Sequence, residues 1–287
     1  MRADDADGRV ARLDLGVLAV TVMRQAVAPW TARFTRAPDA GVSETRRLSI
    51  GFNVVHVRGP GLSVLVDPGL DDPRSRWGRR YAASHPFTRF DATASETLEG
   101  LGEDPGAVTH VAITHAHLDH VVGATVDQAS GLRPRFAHAR HVLMRADRTR
   151  PRYDRDELGP DVAERLACLE TSGLLDLLDG PAVLAPGVAM HPAPGESPGH
   201  AVVEIEGAAG TCIVLGDLAH HGDEIRDAAL MPEGRDPAAL WRSRMHWYAR
   251  AADRGARVVL AHSARASFGR IERAPGGRFE WRDEVGA

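Results

Sequence analysis

The chain has 287 residues and a formal charge of −4 at pH 7. That length can bury a substantial core in one large α/β unit, and the mildly acidic balance gives no reason to expect a nucleic-acid partner. The two cysteines, Cys168 and Cys212, lie far apart in sequence, which excludes a disulfide framework and fits a reducing compartment.

The N-terminus is polar and acidic, without the apolar centre of a signal peptide. No stretch approaches the roughly 20 apolar residues of a membrane span. A cytoplasmic protein with no membrane partner is therefore expected. Residues 13–24 read as a buried strand. Residues 48–69 read as a hairpin, two β-branched runs around Gly59-Pro60-Gly61. The stretch 71–100 is charged and irregular and ends in a short helix around 92–102. Its arginine cluster at 74–80, like the one at 148–155, reads as solvated loop, with an anion-binding rim as the alternative. Residues 107–114 read as a buried strand. Helical spacing, for example Val162, Leu166 and Leu174, runs through 138–180. Strand-like runs follow at 182–194, 201–207 and 211–217. A helix at 236–255 has Asp236 as N-cap before Pro237 and Gly255 at its end, and 256–263 is the last strong strand. Trp30, Phe34, Trp77 and Tyr153 fall in segments read as irregular.

The strand at 107–114 runs straight into Thr114-His115-Ala116-His117-Leu118-Asp119-His120. His115 and His117 are two apart, so extended backbone points both to one side. Three imidazoles and a carboxylate in six residues suit Zn²⁺, Fe or Mn. Asp217 follows another apolar run, His262 follows a third, and the loop 193–200 supplies Glu196 or His200.

Taken together, these motifs resemble the metallo-β-lactamase superfamily. The match rests on the His-x-His-x-Asp-His cluster, the Pro194-Gly195 to His200 loop, Gly216-Asp217 and Ala261-His262-Ser263, with the hairpin closing on Asp67-Pro68-Gly69 upstream. The resemblance implies an α/β fold, an αβ/βα four-layer sandwich with two mixed β-sheets. It would form a single domain over 1–287 with its core at about 48–265, an N-terminal strand, and insertions at 71–100 and 138–180. It further implies two divalent metal ions. His115 and His117 would bind the first, Asp119, His120 and His262 the second, and Asp217 would bridge them. Asp67 takes the place of a structural aspartate.

At the remaining ligand place the family usually carries histidine, and this chain has Glu196. Glu196 lies 21 residues before Asp217, close to the spacing the family shows for this ligand, and His200 only 17, so the resemblance favours Glu196, with His200 or no protein ligand there as the alternatives. Two divalent cations, two aspartates and a bridging hydroxide sum to a single positive charge, and Glu196 brings that sum to zero. The bound water should then ionise at higher pH. Zinc is the first expectation for the metal, and the carboxylate shifts preference toward Mn²⁺ or Fe²⁺.

The reading that follows is a hydrolase that uses a metal-bound hydroxide on an ester, lactone or thioester of a small molecule. Asp119 would pass a proton to the leaving group, and His220 would donate to the substrate carbonyl, where some lactone-hydrolysing relatives carry tyrosine. His221 reads as a surface residue, and His56, His110, His138, His141, His191 and His246 as structural. An iron-dependent oxidoreductase or dioxygenase on the same fold is the alternative. Oligomeric state is not readable, and specificity is expected in 24–46, 71–95 and 145–180.

Overall fold

A computed structural model describes residues 7–36, 43–149 and 159–284. β1 (Val10–Asp14) and β2 (Ala19–Arg36) form a hairpin, so the strand expected over 13–24 is divided by a turn. The turn is local chemistry: the Asp14 carboxylate accepts the Gly16 N–H at 2.7 Å, and Gly16 takes φ 91°. β2 then runs 18 residues and pairs with β3 (Glu44–Gly59) almost throughout, which places Trp30 and Phe34 in a strand and not in a loop. The foreseen hairpin into β4 (Leu62–Val66) is present, with β3 beginning four residues early.

The segment expected to be irregular contains α1 (Arg76–Ser84), started by Ser75 and buried through Trp77 and Tyr81. These two aromatics lie one helical turn apart and stack on one face, centroids 5.0 Å apart. β5 (Arg89–Phe90) pairs with β2, and α2 (Ala94–Gly100) opens with a Thr93–Glu96 capping box. Then come β6 (His110–Ala112), α3 (Leu118–Val121), a ribbon of β7 (Thr125–Gln128) and β8 (Gly131–Pro134), and β9 (Arg140–Met144).

α4 (Arg145–Arg148), α5 (Gly159–Thr171) and β10 (Leu175–Leu178) follow. Among the described residues, the helical reading of 138–180 is met by the single turn of α4 and by α5. Val162 and Leu166 are buried on it, whereas Leu174 lies beyond its end. β9 and β10 pair in parallel at the flanks. Four-residue apolar runs are too short for periodicity to separate strand from helix. Tyr153 and most of the second arginine cluster lie outside the described residues. Arg148 pairs with Glu170. In the first cluster Arg74 pairs with Asp72 and Glu96, Arg76 with Asp127, and Arg80 with Asp161. These arginines are thus already matched with carboxylates, and the Asp127 carboxylate is buried.

The second half contributes β11 (Ala182–Ala185), β12 (Val188–Pro192), β13 (Ala201–Gly207), β14 (Gly210–Val214), α6 (Gly222–Arg226) and β15 (Leu230–Pro232). α7 (Pro237–Arg254) has the anticipated ends. The Asp236 carboxylate accepts from Ala239 N, Pro237 opens the helix, and Gly255 closes it at φ 56°. β16 (Arg257–Val259) leads to a final hairpin, β17 (Phe268–Ala274) and β18 (Arg278–Glu284), which was not anticipated.

One sheet has the order β1-β2-β3-β4-β6-β9-β10 with β5 and β15 added to β2; the other is β11-β12-β13-β14-β16-β17-β18. Both are mixed, parallel between β4, β6, β9 and β10 and between β14 and β16. Val20, Val55, Val64 and Val142 of the first sheet meet Val188, Val203, Val214 and Phe268 of the second in the central core. On the outer face of the second sheet, Ile213 and Val258 pack under Leu240, Trp247 and Tyr248 of α7. On that of the first, Leu65, Val111 and Leu143 pack under Leu98 of α2 and Val162 and Leu166 of α5. This is the αβ/βα sandwich expected.

The parallel pairs position the site. Val66 pairs with Ala112, and Val214 with Val259, so four strands end at one edge. Main-chain bonds join the two sheets there: Ala201 N donates to Thr114 O at 2.8 Å, and Gly51 N to His262 O at 3.1 Å. No helix among the described residues is long and apolar enough to cross a membrane.

Candidate metal centre

Asp67 directly follows β4 with φ 51°, a left-handed conformation that non-glycine residues rarely adopt. The turn aims its carboxylate across the strand ends. It accepts Thr114 N at 2.7 Å and Thr114 Oγ1 at 2.8 Å, and its Oδ2 lies 2.9 Å from His120 Nδ1. With Nδ1 so engaged, His120 turns Nε2 into the cleft, 3.3 Å from Asp217 Oδ1 and 3.7 Å from Asp119 Oδ2. Holding one imidazole nitrogen by a carboxylate is the usual way to orient the other toward a metal.

The same logic holds for His262. Its Nδ1 lies 2.9 Å from Gly51 O, and its Nε2 stands 3.2 Å from Asp217 Oδ1 and 3.4 Å from Asp119 Oδ2. His115 Nε2 and His117 Nδ1 face each other at 2.7 Å, as two residues on one side of an extended segment should. His115 Nε2 is 3.5 Å from Asp217 Oδ2, and His117 Nδ1 is 3.5 Å from Glu196 Oε1. One set of donors, His115, His117, Glu196 and Asp217, and another, Asp119, His120 and His262, each lie within 4.8 Å of one another. All seven predicted metal-site residues therefore meet at one sheet edge. His117 and Asp119 are each 20% exposed and mark the mouth; the others are buried.

The loop 193–200 brings Glu196 to the cleft and holds His200 behind it. His200 Nε2 accepts the Asp217 N–H at 3.0 Å, so its proton sits on Nδ1, 3.0 Å from Ala193 O. Both nitrogens are thereby used on main chain. Burial pushes this imidazole down to about 4, so it is neutral at pH 7. A side chain at Gly216 would meet His200 Nε2 at 2.7 Å, which is why glycine precedes Asp217. Glu196 is buried and meets Arg235: Nε donates to Oε2 at 2.7 Å, and Nη2 lies 2.5 Å from Oε1, poorly aligned for a hydrogen bond.

The chemistry of the donors fits a divalent cation. Among the described residues, His120 Nε2, Glu196 Oε1 and Asp217 Oδ1 are buried without a hydrogen-bond partner, and all three face this cleft. Burying such atoms without a hydrogen bond is costly unless something else binds them. Without a cation, charge is balanced by protons. Burial opposes the charged forms of His120 and His262, but the Asp217 carboxylate, joined by Asp119, outweighs it and holds both above the ordinary histidine range. Imidazole and carboxylate together suit zinc, manganese or iron.

Two features escaped the sequence reading. Asp147, the third residue of α4, accepts Ala116 N at 2.6 Å, Ser197 Oγ at 2.9 Å and Gly199 N at 2.7 Å. It pins the residue between His115 and His117 to the residue after Glu196. Nothing in its spacing marks it, because its partners are backbone groups distant in sequence. The second is the support of His220. Its Nε2 is 3.2 Å from Asp217 Oδ2 and its Nδ1 3.4 Å from Glu224 Oε1; Glu224 is in turn bound by the buried Arg244 at 2.5 Å. Burial would lower the His220 pKa, but Asp217 and Glu224 raise it to about 10. His220 with Asp217 and His262 also falls within ligand distance. His221 is half exposed, as expected.

The long β2–β3 arm supplies the cleft wall. Trp30 stacks on His220 with centroids 4.9 Å apart, and Phe52 packs edge-on to His262 at 5.8 Å. Trp30 and Leu48 are paired across the strands. His56 and His141 are buried away from the site.

The metallo-beta-lactamase superfamily model matches residues 53–262. The N-acyl homoserine lactonase AttM of Rhizobium radiobacter is 30% identical over 101 residues, 33% of this chain and 34% of that protein. Its counterpart from Rhizobium johnstonii is 33% identical over 93 residues, 31% and 32%. The chain thus spans about a third of the length of the curated relatives it matches. Among solved structures, the dizinc quorum-quenching lactonase AidC with bound product superposes with TM-score 0.74 at 16% identity, covering 96% of this chain and 97% of AidC. The hydrolase AbOPH superposes at 0.73 and 17% identity, covering 96% and 97%. At these identities the superpositions speak to the fold.

Proposed function

The chain belongs to the metallo-β-lactamase superfamily, and from that premise we propose that it is a metal-dependent hydrolase that opens a lactone or related ester of a small molecule. The observation that carries this reading is the convergence of seven imidazole and carboxylate donors, three with buried atoms that lack a hydrogen-bond partner, at one strand edge. His115, His117 and Glu196 would hold one divalent cation, Asp119, His120 and His262 a second, and Asp217 both. Bound cations would lower the pKa of a water and polarise the substrate carbonyl.

The remaining work falls to side chains. Asp119 lies at the cleft mouth, where it can take the proton of the attacking water and deliver it to the leaving alkoxide. His220, held between Asp217 and Glu224, can present its Nε2–H to the carbonyl oxygen as charge develops there. Trp30, Leu48 and Phe52 form an apolar flank that excludes water and accepts the hydrocarbon portion of a substrate. The AttM relatives are N-acyl homoserine lactonases, so acylated homoserine lactones head the substrate list.

The test is hydrolysis of N-acyl homoserine lactones of graded chain length, simple γ-lactones and p-nitrophenyl esters by protein reconstituted with Zn²⁺, Mn²⁺ or Fe²⁺, followed by acid release. Turnover that a chelator abolishes and metal restores is expected. Metal-loaded protein inert toward every lactone and ester overturns the proposal.

A further inference from the structure

Glu196 stands where a neutral ligand would leave the centre one unit more positive, and it is not alone. Arg235 is bound along its outer edge through Nε and Nη2. The pair is sterically set. Asp236 N donates to Gly195 O at 3.0 Å, Ser243 Oγ to Pro194 O at 2.7 Å, and a side chain on Gly195 would strike the Leu240 backbone at 2.2 Å. The 193–196 loop and the start of α7 are thus docked, with Glu196 on one and Arg235 just ahead of the other. Nε donates to Oε2, while Oε1 lies between Arg235 Nη2 at 2.5 Å and His117 Nδ1 at 3.5 Å.

We infer that Arg235 is the charge-compensating partner of Glu196, and that the Glu196–Arg235 pair as a unit replaces a neutral ligand. The inference rests on the metal-binding reading above. It reverses the expectation drawn from the sequence, which summed the charge of Glu196 without a counterion. With Arg235 included, the centre returns to a single positive charge. Arg235 lies against both carboxylate oxygens, so its positive charge offsets that of Glu196 at the edge that faces His117. It also offsets the repulsion between Glu196 and Asp217, two buried carboxylates beside the same histidines.

Two consequences follow with definite sign. Arg235 repels a cation bound at Glu196, so its removal tightens metal binding. Its removal also leaves the metal-free site with an unbalanced buried carboxylate, so the metal-free protein is destabilised more than the loaded one. The two statements are the same thermodynamic cycle.

The experiment compares wild type, Arg235→Met and Arg235→Lys by competition of Zn²⁺ against a chromophoric chelator, and by thermal unfolding with and without metal. In Arg235→Met, Zn²⁺ is expected to bind about tenfold more tightly or better, and the rise in Tm on loading should exceed that of wild type. Arg235→Lys loses the planar fork but keeps the charge, and because the effect is one of charge it should stay within about threefold of wild type. Metal affinity that is unchanged or weaker in Arg235→Met, with equal Tm losses in both states, reduces Arg235 to a packing role and overturns the inference alone. Should Arg235→Met not fold without metal, Arg235→Lys decides: a tenfold change in affinity there overturns it. A wild type that retains no cation overturns the functional reading and this inference together.

Discussion

Replacing Asp147 with alanine tests whether the centre is held by groups outside its donor set. The carboxylate is buried and accepts two main-chain N–H groups and one hydroxyl, at 2.6, 2.7 and 2.9 Å. Alanine leaves both N–H groups without that acceptor, each at about 1–3 kcal/mol. The Ser197 hydroxyl can rotate toward another partner and counts for less. Some relaxation of the loops is expected, so the sum is about 3–5 kcal/mol. At about 2 °C per kcal/mol for a chain of this size, Tm should fall by about 6–10 °C. The loss has a specific address: the peptide between His115 and His117, and the turn after Glu196. Metal content after dialysis should therefore fall together with Tm, and excess zinc should recover part of the Tm. Differential scanning calorimetry and elemental analysis measure the two quantities. A Tm within 1–2 °C of wild type with full metal content would refute the reasoning, because it would show that the two loops keep their places without the clamp.

His220→Gln should lower kcat by about a hundredfold while metal content stays that of wild type. Metal loss instead would make His220 a ligand with Asp217 and His262 and remove its role as donor. Trp30→Ala deletes the ring that stacks on His220, and should raise KM for long-chain acyl lactones about tenfold with kcat changed less than threefold. Burial depresses His56, His141 and His200 to about 4, so each is neutral in the fold and protonates more readily when unfolded. Their contribution to stability is complete above the unfolded value near 6.5 and is lost as pH falls through about 4. Urea unfolding of the metal-free protein should show lower stability at pH 5 than at pH 7, and His141→Gln should flatten that slope. An unchanged slope would show that His141 is not held neutral by the fold.

Much of the architecture was legible because it depends on local rules. Asp236-Pro237 and Gly255 bound α7 through cap geometry that a few adjacent residues determine. The Gly-Pro-Gly turn closes a hairpin wherever two β-branched runs flank it. Where those rules are silent, the reading failed. α1 is held by Trp77 and Tyr81 against the β2–β3 arm, and charge alone concealed it. β9 and β10 look helical in isolation and become strands because a parallel neighbour receives each one.

For the site, the sequence by itself determined which donors exist and in what order they arrive, since imidazoles two apart on extended backbone and carboxylates at strand ends are properties of short segments. Only the tertiary structure set Glu196 and His200 apart, spending both His200 nitrogens on main chain and turning a Glu196 oxygen toward His117. It likewise supplied Asp147, Glu224 and Arg235, whose partners lie far away along the chain. Charge balance in a buried centre depends on every ion within a few ångströms, and that neighbourhood is a property of the fold and not of any stretch of sequence.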